Sequence, residues 1–235
     1  MKIVDRAKLP HVTPKESYSL HLCHENVVGT VAVLVAECKH FDAMVIEHPG
    51  NSGDMQRLVD RTERPAPPRV LLGFAADVAN GLQYCHRCGV LHLDLKPTNI
   101  LVWAAGACKI CDFGNCFGVG SGDDDGGRLG LPGKNLIRAP DVKVSCFQGT
   151  VAYTTPEILL RRTSTKVTDL YSFGIVLWQM AHGEVPYEDI DHNDVLIYRI
   201  RLSVQSHPST QPNLFLCEGD ILLDTIVINV MYNLY

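Results

Sequence analysis

The chain has 235 residues, 46% hydrophobic and 20% charged, enough to bury a core in one domain or one two-lobed domain. Its formal net charge of −5 leaves no basic field that would call for nucleic acid or an anionic membrane surface. The first residues lack the apolar segment of a secretory signal, and the longest apolar run near the end, residues 221–231, is too short for a span and carries Asp224.

In chain order, residues 15–23 read as a short helix, and 27–37 and 41–47 as two β-type runs. The stretch "HPGNSGD", 48–54, is turn chemistry. From Pro67 onward, Leu71, Ala75, Val78 and Leu82 recur at helical spacing, so 67–88 is an amphipathic helix led by proline. Residues 99–102 and 107–111 read as a short hairpin, and 112–134 as a glycine- and aspartate-rich loop. Residues 168–183 form a helix apolar nearly all round, hence buried, with Gly183 at its end. A β-rich start followed by a helix-rich remainder is an α+β arrangement, with a small sheet lobe and a larger helical lobe.

Nine cysteines, an odd number in a chain this large, favour a reducing compartment and a cytoplasmic location. Cys85-x-x-Cys88 and Cys108-x-x-Cys111 have the spacing of a four-cysteine zinc site. Yet residues 107–111 read as a strand, where positions three apart face opposite ways, so zinc is not expected.

The segment "GVLHLDLKPTNILV", 89–102, sets His92, Asp94, Lys96 and Asn99 between apolar flanks. "CDFG", 111–114, adds the carboxylate of Asp112 just past a strand. Phosphoryl transfer needs such parts: a carboxylate to orient the attacking hydroxyl, a cation to absorb phosphate charge, and hard oxygen ligands for Mg²⁺.

Four stretches in order, "HLDLKPTNIL", "CDFG", "GTVAYTTPEIL" and "DLYSFGIVLWQM", resemble the serine/threonine protein kinases, and within them the Mos family. The resemblance implies a two-lobed kinase fold that binds ATP and Mg²⁺ and phosphorylates protein substrates. It further implies a MAP kinase kinase kinase of oocyte meiosis, with a MAP kinase kinase as substrate. By the same resemblance Asp94 is the base, Lys96 steadies the γ-phosphate, and Asn99 and Asp112 hold magnesium. Thr150 helps seat the peptide, and Asp169 anchors the catalytic loop from the buried helix. Leu93 stands where most kinases carry an arginine that pairs with a phosphate on the activation loop. An enzyme with leucine there is expected to work without that phosphate.

Upstream, the resemblance places the ATP-binding lysine at Lys2, its glutamate partner at Glu16, and the adenine pocket at Ile46 and Glu47. The backbone donor to adenine would fall on Pro49, which has no N–H and so forfeits about 1 kcal/mol. A chain beginning at Lys2 would lack the glycine-rich loop, and "GVGSG", 118–122, reads as linker rather than a substitute. Residues 1–48 are thus expected to be a partial small lobe, 49–201 the larger lobe, and 202–235 an atypical tail. The alternative is a catalytically impaired kinase-fold binding module, or a truncated product.

Overall fold

The structure is a computed structural model that describes residues 2–5, 15–35, 41–50, 53–61, 67–104, 106–118, 137–138, 151–159, 163–190 and 192–198. At 2–5, 15–17, 33–35, 41–44, 137–138, 156–157 and 163 it describes the backbone alone. Thr150 and the tail 202–235 lie outside the described residues.

Three strands, β1 (Lys2–Asp5), β2 (Thr30–Val35) and β3 (Phe41–Ile46), form one antiparallel sheet in the order β1-β3-β2. Lys2 pairs with Met44, and Thr30 with Ile46. The short helix expected at 15–23 is a 3-10 helix, Lys15–His21. The segment after it runs into the second layer. Val28 N–H donates to Ile110 O at 2.8 Å, and Ile110 N–H to Asn26 O at 2.9 Å.

Helix α1 (Met55–Arg61) follows the turn. Helix α2 (Pro68–Arg87) has proline in its first turn, where the missing N–H costs nothing. Its expected apolar stripe is the buried one: Leu71, Ala75, Val78 and Leu82 are each 1–2% exposed. Gly81 on this helix is needed for close approach, since a Cβ there would sit 2.6 Å from Asn26 O.

Strands β4 (Val90–Leu91), β5 (Ile100–Val102), β6 (Cys108–Ile110) and β7 (Phe117–Gly118) make two small ladders, β4-β7 and β5-β6. The second is the expected hairpin. A further ladder joins β8 (Ile137–Arg138) to β9 (Thr163–Ser164), with helix α3 (Pro156–Leu159) between them in sequence.

Helix α4 (Lys166–His182) starts two residues earlier than its apolar pattern suggested, because Thr165 and Thr168 cap each other's backbone reciprocally. It ends at Gly183 in the left-handed conformation. Phe173, Ile175 and Leu177 on α4 share one core with the stripe of α2. No helix among the described residues is long and apolar enough to cross a membrane.

Candidate active site

The loop between β4 and the 3-10 turn Pro97–Asn99 carries the polar cluster, and one buried carboxylate shapes it. Asp169, in the first turn of α4 and fully buried, accepts His92 N–H at 2.9 Å and Leu93 N–H at 2.8 Å. His86 Nε2, from the last turn of α2, meets the same carboxylate at 2.8 Å. Burial pushes the Asp169 carboxyl up. The His86 hydrogen bond and charge, with the neighbouring His92, outweigh it and hold the group below the usual carboxylate range.

Leu93 pays for this arrangement with a left-handed backbone, φ +61°. For a leucine that costs about 1–2 kcal/mol, offset by the paired N–H bonds into Asp169. His92 is fully buried; its Nδ1 accepts Asp94 N–H at 3.3 Å and its Nε2 lies 3.0 Å from Cys111 O. The tautomer follows: Nε2 carries the proton and donates to Cys111 O. One imidazole thus links the loop bearing Asp94 to the turn bearing Asp112, and its ring meets Phe113 edge-on at 5.0 Å.

Asp94 is the centre of the cluster. Its Oδ2 accepts Lys96 Nζ at 3.1 Å, Asn99 Nδ2 at 3.3 Å and Asn115 Nδ2 at 3.1 Å. All of these donors converge on one oxygen, and none of the donors found among the described residues meets Oδ1. Asn99 Nδ2 also donates to Asp94 O at 2.8 Å. With its amide hydrogens committed to Asp94, Asn99 presents its side-chain oxygen, a neutral hard ligand.

Asp112, like Leu93, is left-handed at φ 63°, and its Oδ1 accepts Gly114 N–H at 3.3 Å. A second carboxylate or amide oxygen within one loop-and-hairpin of the first suits a cation that also takes phosphate and water oxygens. An amide oxygen and a carboxylate are hard donors of the kind a divalent cation takes. The 3-10 helix Lys15–His21 packs close to β7, the strand that follows this turn: a Cβ on Gly118 would meet the Tyr18 ring at 2.7 Å.

Asp94, Lys96 and Asn99 thus come together. Lys2 lies on β1 and Glu16 on the 3-10 helix, with only their backbones described. Ile46 closes β3 half-buried, and Glu47 follows it. The Glu47 side chain accepts Lys109 Nζ at 2.8 Å and Gly29 N–H at 2.6 Å, so the strand-to-helix connection is tied to β6. Lys109 also lies 4.9 Å from the centroid of the Trp103 ring.

Sequence reasoning missed His86, Lys109 and Asn115. For His86 a signal existed: it sits four residues after Leu82 on the buried stripe of α2, where a polar side chain needs a partner. Of the cysteines with zinc-like spacing, Cys85 and Cys108 are fully buried and Cys88 is half-buried. Burial and the nearby Asp77 push the Cys108 thiol up to about 12. No group of three or more His, Cys, Asp or Glu among the described residues is placed to hold a metal.

The protein kinase domain matches residues 3–214, and the chain belongs to that family. The match runs into the stretch set apart as a tail. Among curated relatives, the chain is 34% identical over 177 residues to the serine/threonine-protein kinase-transforming protein mos of Moloney murine sarcoma virus (strain ts110). That alignment covers 71% of this chain and 46% of the relative. It is 33% identical over 196 residues to serine/threonine-protein kinase mos of Xenopus laevis, covering 80% and 52%. It is 32% identical over 136 residues to mitogen-activated protein kinase kinase kinase 13 of Homo sapiens, covering 58% and 12%. The chain spans about half the length of the mos relatives it matches.

Proposed function

We propose that this protein transfers the γ-phosphoryl group of ATP to serine or threonine hydroxyls of a protein substrate. The observation that carries the reading is the convergence of Lys96, Asn99 and Asn115 on Asp94 Oδ2, which leaves Oδ1 to receive the hydroxyl proton. As the substrate oxygen bonds to the γ-phosphorus and the bond to the β-phosphate oxygen breaks, Asp94 takes the proton and Lys96 balances the phosphoryl charge. Asn99 and Asp112 would hold Mg²⁺, which supplies charge neutralisation at the phosphates when bound. Lys2, steadied by Glu16, would reach the phosphates, Ile46 and Glu47 would border the adenine, and Thr150 would seat the peptide.

The mos relatives and the MAP kinase kinase kinase relative support a finer reading. This is a cytoplasmic MAP kinase kinase kinase whose substrate is a MAP kinase kinase, with a role in oocyte meiosis. The test is transfer of label from γ-labelled ATP, with magnesium, to a catalytically dead MAP kinase kinase, followed by phosphoamino-acid analysis. Phosphoserine or phosphothreonine is expected. Label on tyrosine, or no transfer to this or any general protein substrate, would refute the reading.

A further inference from the structure

Asn115 follows the motif "CDFG" directly and is exposed at the end of the 3-10 turn Phe113–Asn115. Its Nδ2 donates to Asp94 Oδ2 at 3.1 Å, across 21 positions of chain. A carboxylate only accepts, so the amide must present its N–H there and not its oxygen.

The other donors to that oxygen come from the base's own loop. Lys96 is two positions on from Asp94 and Asn99 five, so both travel with the segment they hold. Among the described residues, Asn115 is the donor that ties the Asp94 side chain to a different segment. A carboxylate turns readily about its last torsion, and the long stem of Lys96 brings a charge near it without fixing a direction. The short Asn115 side chain, carried on an anchored turn, does fix one.

That turn is held at both ends. Phe113 is buried, with its ring edge-on to His92 at 5.0 Å. Cys116 N–H closes the turn on Phe113 O at 3.1 Å, and Phe117 pairs with Leu91 in the ladder of β4 and β7. Both anchors, Leu91 and His92, lie just ahead of Asp94. Asn115 therefore closes a ring that runs from β4 through Asp94 to the turn, and by β7 back to β4. The same turn begins at Asp112, which is left-handed with its Oδ1 on Gly114 N–H. One short turn carries a carboxylate at its start and a brace for the base at its end.

We infer that Asn115 is a positioning residue for the base, holding the Asp94 carboxylate in register with the Asp112 turn so that the two carboxylates are set together. The inference rests on the kinase reading for what Asp94 does, and on the hydrogen bond for how Asp94 is held. Water competes for both exposed partners, so the bond adds little to stability and acts on orientation.

The test uses the full chain as Asn115→Leu, which removes the donor at similar volume, and Asn115→Gln, which keeps the amide on a longer arm. Phosphotransfer is followed as kcat and as separate KM values for ATP and for a protein substrate. The carbon resonance of the Asp94 carboxyl group, identified by its loss in Asp94→Asn, is followed without nucleotide.

In Asn115→Leu, kcat is expected to fall roughly threefold to tenfold, the effect of one net hydrogen bond. The KM for ATP and the melting temperature stay unchanged, and the Asp94 resonance moves. Asn115→Gln restores most of kcat and returns the resonance toward its wild-type position. A leucine variant with kcat within about twofold of wild type, or with an unmoved Asp94 resonance, overturns the inference. So does a loss confined to the KM for ATP, and so does a glutamine variant that restores the resonance but not kcat. Wild-type protein that transfers no phosphate overturns the kinase reading instead, and the resonance by itself then decides the tie between the two segments.

Discussion

Replacing Asp169 by asparagine removes a charge that the centre of the molecule is built around. The carboxylate is fully buried and receives His92 N–H, Leu93 N–H and His86 Nε2 at 2.8–2.9 Å. Hydrogen bonds to a charged group are worth about 1.5–3 kcal/mol each. Asparagine keeps one acceptor and turns the other edge into a donor aimed at existing donors. The expected loss is about 3–5 kcal/mol, the usual cost of breaking a buried pair by changing one partner.

The effect also depends on pH, and the sign is fixed by the lowered Asp169 carboxyl. A depressed carboxyl contributes its stability above its unfolded value, about 3.9, and loses it as pH falls through the folded one. Urea unfolding should therefore show the wild type losing stability below about pH 4, with a flatter acid limb in Asp169→Asn. Released from Asp169, Leu93 should leave its left-handed conformation and the loop should lose phosphotransfer. A variant within 1 kcal/mol of wild type, with an unchanged acid limb, would refute the reasoning.

The contact between Tyr18 and Gly118 should behave as a coupled pair. Gly118→Ala places a Cβ 2.7 Å from the Tyr18 ring, so the stabilisation by Mg-ATP in a thermal melt should fall, and Tyr18→Ala in the same chain should restore much of it. Additive effects in the double-mutant cycle would contradict the packing. Leu93 makes a different prediction: treatment with a broad phosphatase should leave phosphotransfer unchanged. Activity that disappears with phosphate and maps to a residue between Asn115 and Thr154 would contradict it.

Much of this was legible because it is local. The stripe of α2 follows from Leu71, Ala75, Val78 and Leu82, since helical spacing alone puts them on one face. Asp94, Lys96 and Asn99 lie within six residues, so their meeting needed only a tight loop.

The rest depends on contacts between distant segments. Lys109 and Glu47 are 62 positions apart, Asn115 and Asp94 are 21 apart, and Gln179 and Gln56 are 123 apart. Each pair is brought together by how helices and hairpins pack, and no spacing in the chain encodes that. The start of α4 was misplaced for a local reason. Apolar periodicity marks a buried face, whereas the Thr165–Thr168 capping box marks the end, and the box lies partly outside the apolar run.

The central claim is that Asp94 is the base. Asp94→Asn preserves the size of the side chain and an oxygen for its neighbours, but removes the proton acceptor. With Mg-ATP binding measured alongside as a thermal shift, the variant should bind nucleotide like the wild type. It should lose about 10²–10⁴-fold in phosphotransfer, the usual share of general base catalysis. Turnover near the wild-type rate, with nucleotide binding intact, would contradict the account.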